Sequence, residues 1–240
     1  MRPSAGQLQI SAKTLGSVAL PQFCPRCFWI HIHADFKLPY QIFPGIFSSI
    51  DSYNKRLVHG WFDRHRSPPS WLAALGEIRG YRNPPHFSKF GVLHNETSVL
   101  LRGSPDGILI RTDNSNLIVD YKTAKFTEHQ DELFPMYEVQ LNAYAYIGES
   151  CGLSPVSGLA LVYTEPGTDE AAADKDANMT GEGFLMGFTA HIVPVPLKTE
   201  MIPSLLRRVR EIFDLDRPPE SLAACKDCAL LTNLLAVAST

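Results

Sequence analysis

Two carboxylates and one ammonium lie close together in the stretch Ser98–Lys122, SVLLRGSPDGILIRTDNSNLIVDYK, and their types suit phosphate chemistry. Asp106 follows a Gly-Ser-Pro break, while Asp120 and Lys122 fall near the end of an apolar run. Residues i and i+2 of a strand point to the same face, so Asp120 and Lys122 share one side of a sheet. A hairpin over the turn-forming Asp113-Asn114-Ser115-Asn116 brings Asp106 alongside them. Two hard oxygen ligands beside a cation suit a divalent metal ion that handles a phosphate. Charges at the end of a core strand are costly unless paired or coordinated, which separates this Asp-x-Lys from a solvated strand face.

A second group is made of sulfur. Cys24-Pro-Arg-Cys27 and Cys225-Lys-Asp-Cys228 are two C-x-x-C pairs near opposite ends of the chain, and Cys151 reads as a lone core thiol. Such pairs in a large cytosolic chain point to metal more than to disulfides. One tetrahedral S₄ site would clamp the N- and C-terminal segments together, and it suits Zn²⁺ or an iron–sulfur cluster.

Periodicity supplies the elements that must carry these groups. Ser11 caps a short helix, and a second helix starts at Pro25 with Cys24 at its N-cap. Lys37–Ser48 is aromatic, broken by Pro and Gly, and expected to be irregular. Ile50–Arg64 has helical spacing of Ile50, Tyr53, Leu57 and Trp61, with Lys55, Arg56 and His59 on other faces. Residues 65–97, with prolines at 68, 69, 84 and 85, are expected to form a loop-rich insert. Three strands follow as a meander, at Ser98–Arg102, Ile108–Arg111 and Leu117–Tyr121. After the polar connector Phe126–Pro135 come a helix at Met136–Glu149, a strand at Val156–Tyr163 and a surface loop at Glu165–Gly183. A strand at Phe184–Val195, a helix at Thr199–Phe213 and a linker at Asp216–Glu220 lead to the last cysteine pair. The order predicts one α/β domain spanning 1–240, with a central mixed sheet flanked by helices.

Bulk properties agree. At 240 residues, 45% hydrophobic and 20% charged, the chain can bury a sizeable core. A net charge of −3 excludes a strongly basic binder, so contact with nucleic acid must come from local patches. Arg207, Arg208 and Arg210 form one such basic stretch and Lys55-Arg56 another. No apolar run is long enough to span a bilayer, and the N-terminus lacks a signal peptide's apolar core, so the expected location is cytoplasmic, without membrane contact.

Pro105-Asp106, a gap of thirteen residues, Asp120-Tyr121-Lys122 and a following helix together resemble the PD-(D/E)XK nuclease superfamily. Gln140-Leu-Asn-Ala-Tyr144 resembles the Gln-x-x-x-Tyr element of its RecB-like branch, which includes AddB-type and CRISPR-associated exonuclease-like members. Cys24-Pro25-Arg26 before an aromatic resembles the opening of that branch. The resemblance implies a restriction-endonuclease-like core. Asp106, Asp120 and the Tyr121 backbone carbonyl would hold Mg²⁺ or Mn²⁺, Lys122 would assist the attacking water, and Gln140 and Tyr144 would reach DNA or the site's edge. It also points to His59 as an extra metal ligand, although the glycine usual a few residues earlier is absent. Relatives often hold a [4Fe–4S] cluster with one N-terminal and three C-terminal cysteines. The two-plus-two arrangement of Cys24, Cys27, Cys225 and Cys228 departs from that and leaves Zn²⁺ as the alternative, with iron–sulfur ahead.

The implied activity is metal-dependent hydrolysis of DNA phosphodiesters, exonuclease-like, in repair, recombination or defence, with a helicase or another repair protein as partner. A non-catalytic nucleic-acid-binding module, or an iron–sulfur interaction module on the same fold, would share these residues. The intact Asp106, Asp120 and Lys122 favour the nuclease.

Overall fold

The computed structural model describes residues 6–37, 44–127 and 132–239. In chain order its elements begin with β1 (Leu8–Ser11), α1 (Ala12–Ser17), α2 (Pro25–His33), α3 (Gly45–His65) and a 3₁₀ turn at Ser70–Leu75. Then come β2 (Ile78–Arg82), β3 (Gly91–His94), β4 (Val99–Arg102), β5 (Gly107–Arg111), β6 (Asn116–Lys122) and α4 (Phe134–Ser150). The remainder is β7 (Val156–Pro166), α5 (Glu170–Ala173), β8 (Met179–Thr180), β9 (Gly183–Phe184), β10 (Phe188–Val195), α6 (Ile202–Phe213) and α7 (Lys226–Ala238). Among the described residues no helix is long and apolar enough to cross a membrane.

The central sheet has strand order β10-β7-β6-β5-β2. β6 and β7 are parallel and every other pairing in this sheet is antiparallel, so the mixed α/β architecture expected from the order of elements is present. A parallel pair needs a crossover, and α4 supplies it. Strand β6, NLIVDYK, is buried from Asn116 through Tyr121 because helices cover both faces. Its alternation divides the core. Ile118 joins the cluster containing Val139, Leu141 and Ile147 of α4 and Leu206 and Val209 of α6. Leu117, Val119 and Tyr121 face Val58 and Phe62 of α3 instead.

Several expectations are corrected. The Ser98–Arg102 run does not join a three-stranded meander: β4 pairs with β1 and β3 in a separate sheet, and only β5 and β6 form the hairpin. The Gly103–Asp106 break carries the chain out of one sheet into the next, and β1, unrecognised in sequence, offers β4 a parallel partner. Residues 65–97 are not an insert, since β2 forms the edge of the central sheet against β5. The prolines that suggested a loop lie outside β2 and β3, where no ladder hydrogen bond is lost.

Helix α3 begins earlier than expected, at Gly45, and residues 38–43 of the stretch expected to be irregular lie outside the described residues. Residues 128–131 of the predicted polar connector also lie outside them, and α4 already begins at Phe134. The stripe read as the packed face of α3 turns outward, with Tyr53, Leu57 and Trp61 exposed. The inward stripe is Asp51, Lys55, Val58 and Phe62, half charged because the upper half of α3 covers polar groups. The Glu165–Gly183 loop contains α5 and part of a two-stranded hairpin, and the C-terminal cysteines open α7.

Candidate active site

The site forms where β5 begins and β6 runs on past it. The last β5–β6 pair is Gly107 with Val119. A Cβ on Gly107 would lie 2.7 Å from Val119 Cγ2, so only glycine lets the strands close here. One residue earlier, Asp106 Oδ2 accepts a hydrogen bond from the Tyr121 backbone N–H at 3.0 Å, prolonging the ladder with a side chain. The N–H and C=O of an extended residue point to the same side, so the Tyr121 carbonyl faces the gap that Asp106 borders.

Asp120 is 2% exposed and lies on the α4 side of the sheet. Lys122, two residues on, lies in ion-pair contact with Asp120 Oδ2. The Lys122 ammonium also sits over the Tyr137 ring, 4.3 Å from its centroid. From α4, Gln140 Nε2 donates to Asp120 Oδ1 at 3.4 Å and to Tyr144 Oη at 2.8 Å. Gln140 and Tyr144, a helical turn apart, are both buried. A Cβ on Gly103 would strike the Tyr144 ring at 2.5 Å, so the loop leading to Asp106 wraps closely over that tyrosine.

Burial first, and the Asp106 charge second, push the Asp120 carboxyl up to about 7, with Lys122 pulling the other way. Burial and the charges of Asp120 and Asp106 likewise raise the Tyr144 phenol well above its usual range, so it stays protonated. The Asp120 shift has a consequence for stability. The folded, ion-free chain keeps a proton on Asp120 that the unfolded chain releases near 3.8. This contribution to stability is fully present below that value and is lost as pH rises through about 7. For protein dialysed free of Mg²⁺ and Mn²⁺, the melting temperature of wild type relative to Asp120→Asn is expected to fall by a few degrees between pH 5 and pH 8, at about 2–4 °C per kcal/mol. Scanning calorimetry across that range checks it, and a flat difference would contradict it.

The PD-(D/E)XK nuclease superfamily model matches residues 47–232, which include most of α3, both carboxylates, Lys122, Gln140 and Tyr144. The chain belongs to the PD-(D/E)XK nuclease superfamily. A crystal structure of SSO0001 is similar in fold, with a TM-score of 0.45 and 14% identity over 96% of this chain and 87% of that one. No curated protein matches the sequence.

A PD-(D/E)XK site implies a divalent ion, and the residues present fit one. Asp106 and Asp120 border one gap with the Tyr121 carbonyl, hard oxygen donors of the kind a divalent ion takes. Beside them Gln140 Oε1 is buried without a hydrogen-bond donor. His59 is not brought to this gap. Its ring stacks on Tyr81 at 3.9 Å between centroids, and burial lowers its pKa, with the Lys55 charge adding to that effect and Asp63 opposing it.

Two groups beside this gap were not picked out from the sequence. Lys55 Nζ lies 2.9 Å from Asp106 Oδ1 and 2.8 Å from Asp51 Oδ2. Their signal was the i, i+4, i+7, i+11 series from Asp51 to Phe62, which an apolar period alone does not detect. Of the basic stretch on α6, Arg207 is paired with Glu96 and Arg210 with Asp214.

The four cysteines do converge, and among the described residues they are the only group of three or more His, Cys, Asp or Glu with all ligand atoms within 4.8 Å of one another. Cys24 caps α2 and Cys225 caps α7, so each C-x-x-C pair is presented by a helix N-terminus. Sulfur separations are 3.7 Å for Cys24–Cys228, 3.6 Å for Cys27–Cys225 and 3.3 Å for Cys27–Cys228. The Cys24 thiol is lowered to about 6: burial raises it, but hydrogen bonds from the N–H groups of Cys27 and Leu222 and from neighbouring thiols outweigh burial. Cys27 moves the other way, upward through burial and the surrounding thiols.

Proposed function

We propose that this chain is a divalent-ion-dependent DNA nuclease of RecB-like, exonuclease-like type, acting as one domain. The observation that carries the reading is the meeting of Asp106, Asp120 and Lys122 at one sheet edge, with Asp120 only 2% exposed. Asp106, Asp120 and the Tyr121 carbonyl would hold Mg²⁺ or Mn²⁺, which when bound would supply Lewis-acid activation of water and offset charge developing on the phosphate. The chain's own residues do the rest. Lys122, on the same strand face as Asp120, donates to a phosphate oxygen where negative charge builds. Gln140 fixes the orientation of Asp120 through Oδ1, and Tyr144 fixes Gln140. His59 has no part in this reading, given its stacking on Tyr81.

The cysteine clamp takes one Zn²⁺ in this proposal. Four thiolates about 2.3 Å from one ion lie about 3.8 Å apart along the edges of a tetrahedron. Observed separations of 3.3 to 3.7 Å suit that arrangement. A [4Fe–4S] cube would interpose an iron–iron edge between any two thiolates and spread them wider, which turns the reading from iron–sulfur to zinc. Repair, recombination or defence in the cytoplasm, beside a helicase or another repair protein, is the setting the RecB-like resemblance suggests.

The test is cleavage of linear and circular DNA by purified wild type and Lys122→Ala in Mg²⁺ and in Mn²⁺. Wild type is expected to cut linear DNA only with the divalent ion, and Lys122→Ala to lose on the order of 10²–10³ in rate, the scale for one group that stabilises transition-state charge. Binding without cutting at every ion concentration would overturn the proposal.

A further inference from the structure

We propose that Lys55 is a resident cation occupying the place a second divalent ion would take between Asp51 and Asp106, so that the site works with a single divalent ion. The inference rests on the reading of Asp106 and Asp120 as ion ligands.

Geometry comes first. One ammonium bridges two carboxylates from different elements, Asp51 Oδ2 at 2.8 Å and Asp106 Oδ1 at 2.9 Å. Asp106 is thereby divided: Oδ2 is taken by the Tyr121 N–H and Oδ1 by Lys55. Asp51 and Lys55 are one helical turn apart on α3, so the charge pair is built into the helix. The helix in turn is pinned by Val58 and Phe62 in the core and by Asn54, whose amide donates to Thr164 Oγ1 at 3.2 Å. Lys55 is therefore delivered by a rigid element.

Charge balance points the same way. Asp51, Asp106 and Asp120 against Lys55 and Lys122 leave a net −1. One divalent ion and one phosphodiester bring the site to neutrality. A second divalent ion would have to displace the ammonium that already satisfies both oxygens, and would leave the site at +1 with substrate bound. Lys55 acts through Asp106 and is a positioning residue: it holds that carboxylate in the plane of the sheet and relieves its repulsion with Asp120.

The experiment counts Mn²⁺ per chain by electron paramagnetic resonance of the free ion, using full-length protein that retains the metal its cysteines hold as purified. Wild type is expected to bind one Mn²⁺, Lys55→Ala two, Lys55→Arg one, and Asp51→Ala/Lys55→Ala one again. Melting curves taken alongside establish that each variant is folded; Lys55 is partly exposed, with 31% of its side chain accessible. Two ions on wild type, or one on Lys55→Ala, would overturn the Lys55 proposal while leaving the nuclease reading intact. No ion on wild type, or one that persists in Asp106→Ala, would remove both.

Discussion

Asparagine at position 120 is expected to abolish cleavage, by a factor on the order of 10³ or more, while the ion-free protein melts no lower than wild type. Lewis-acid stabilisation of a phosphoryl-transfer transition state is worth several kcal/mol. At 1.36 kcal/mol per decade, about 4 kcal/mol gives that factor. Stability moves the other way because Asp120 is 2% exposed and faces the Asp106 charge. A neutral amide of the same shape removes the cost of a buried carboxylate crowded by Asp106 and keeps an acceptor for Gln140. Function and stability therefore trade against each other at this position. Single-turnover cleavage together with calorimetry of ion-free protein checks both halves. A variant that is inactive because its melting temperature has dropped by more than about 10 °C would contradict this account, since the loss would then reflect folding.

The second large effect concerns the clamp. On the proposal that the four cysteines hold a metal ion, Cys228→Ser is expected to release that ion and lower the melting temperature by about 10–20 °C, at 2–4 °C per kcal/mol. Sulfur contacts between residues 198 to 204 apart close almost the whole chain into one loop. By loop-closure entropy a link of that length is worth up to about 5 kcal/mol. The effect is concentrated in α7, which has no buried residue and leaves Leu230, Leu234, Leu235 and Val237 exposed. Without the ion little apolar burial remains to hold that helix, so the amides of 226–238 are expected to lose hydrogen-exchange protection before the central sheet does. Retained protection in α7, with a melting temperature within about 2 °C of wild type, would show that the cysteines bear no structural metal.

How far these features could be read from sequence depends on how local their physics is. Asp120 and Lys122 were legible because a strand has a fixed period of two, and the hairpin that delivers Asp106 is encoded by the turn residues at 113–116. Gln140 and Tyr144 were legible as a pair one helical turn apart, but the contact of Gln140 with Asp120 was not, because it depends on how α4 crosses β6. The same limit explains β4. Its apolar alternation identified a strand, but the choice between β5 and β1 as partner is made by tertiary packing, and β1 is only four residues long. Lys55 was hidden for a related reason. On α3 the apolar stripe Tyr53, Leu57, Trp61 has good helical spacing, yet the core takes Val58 and Phe62, and this rotation turns Asp51 and Lys55 toward Asp106. The cysteines gave their pairing by motif alone. What distinguishes one ion from a cube of iron is the sulfur spacing, which only coordinates supply.

The most direct test of the central claim is a Mg²⁺ titration of cleavage on a fluorescein-labelled linear DNA, with wild type and Asp106→Ala run side by side. Wild type is predicted to gain activity from a zero baseline and saturate with the ion, and Asp106→Ala to stay at baseline throughout. Equal cleavage by the two proteins, or cutting by wild type that does not depend on the ion, would contradict the claim that Asp106, Asp120 and Lys122 form one hydrolytic centre.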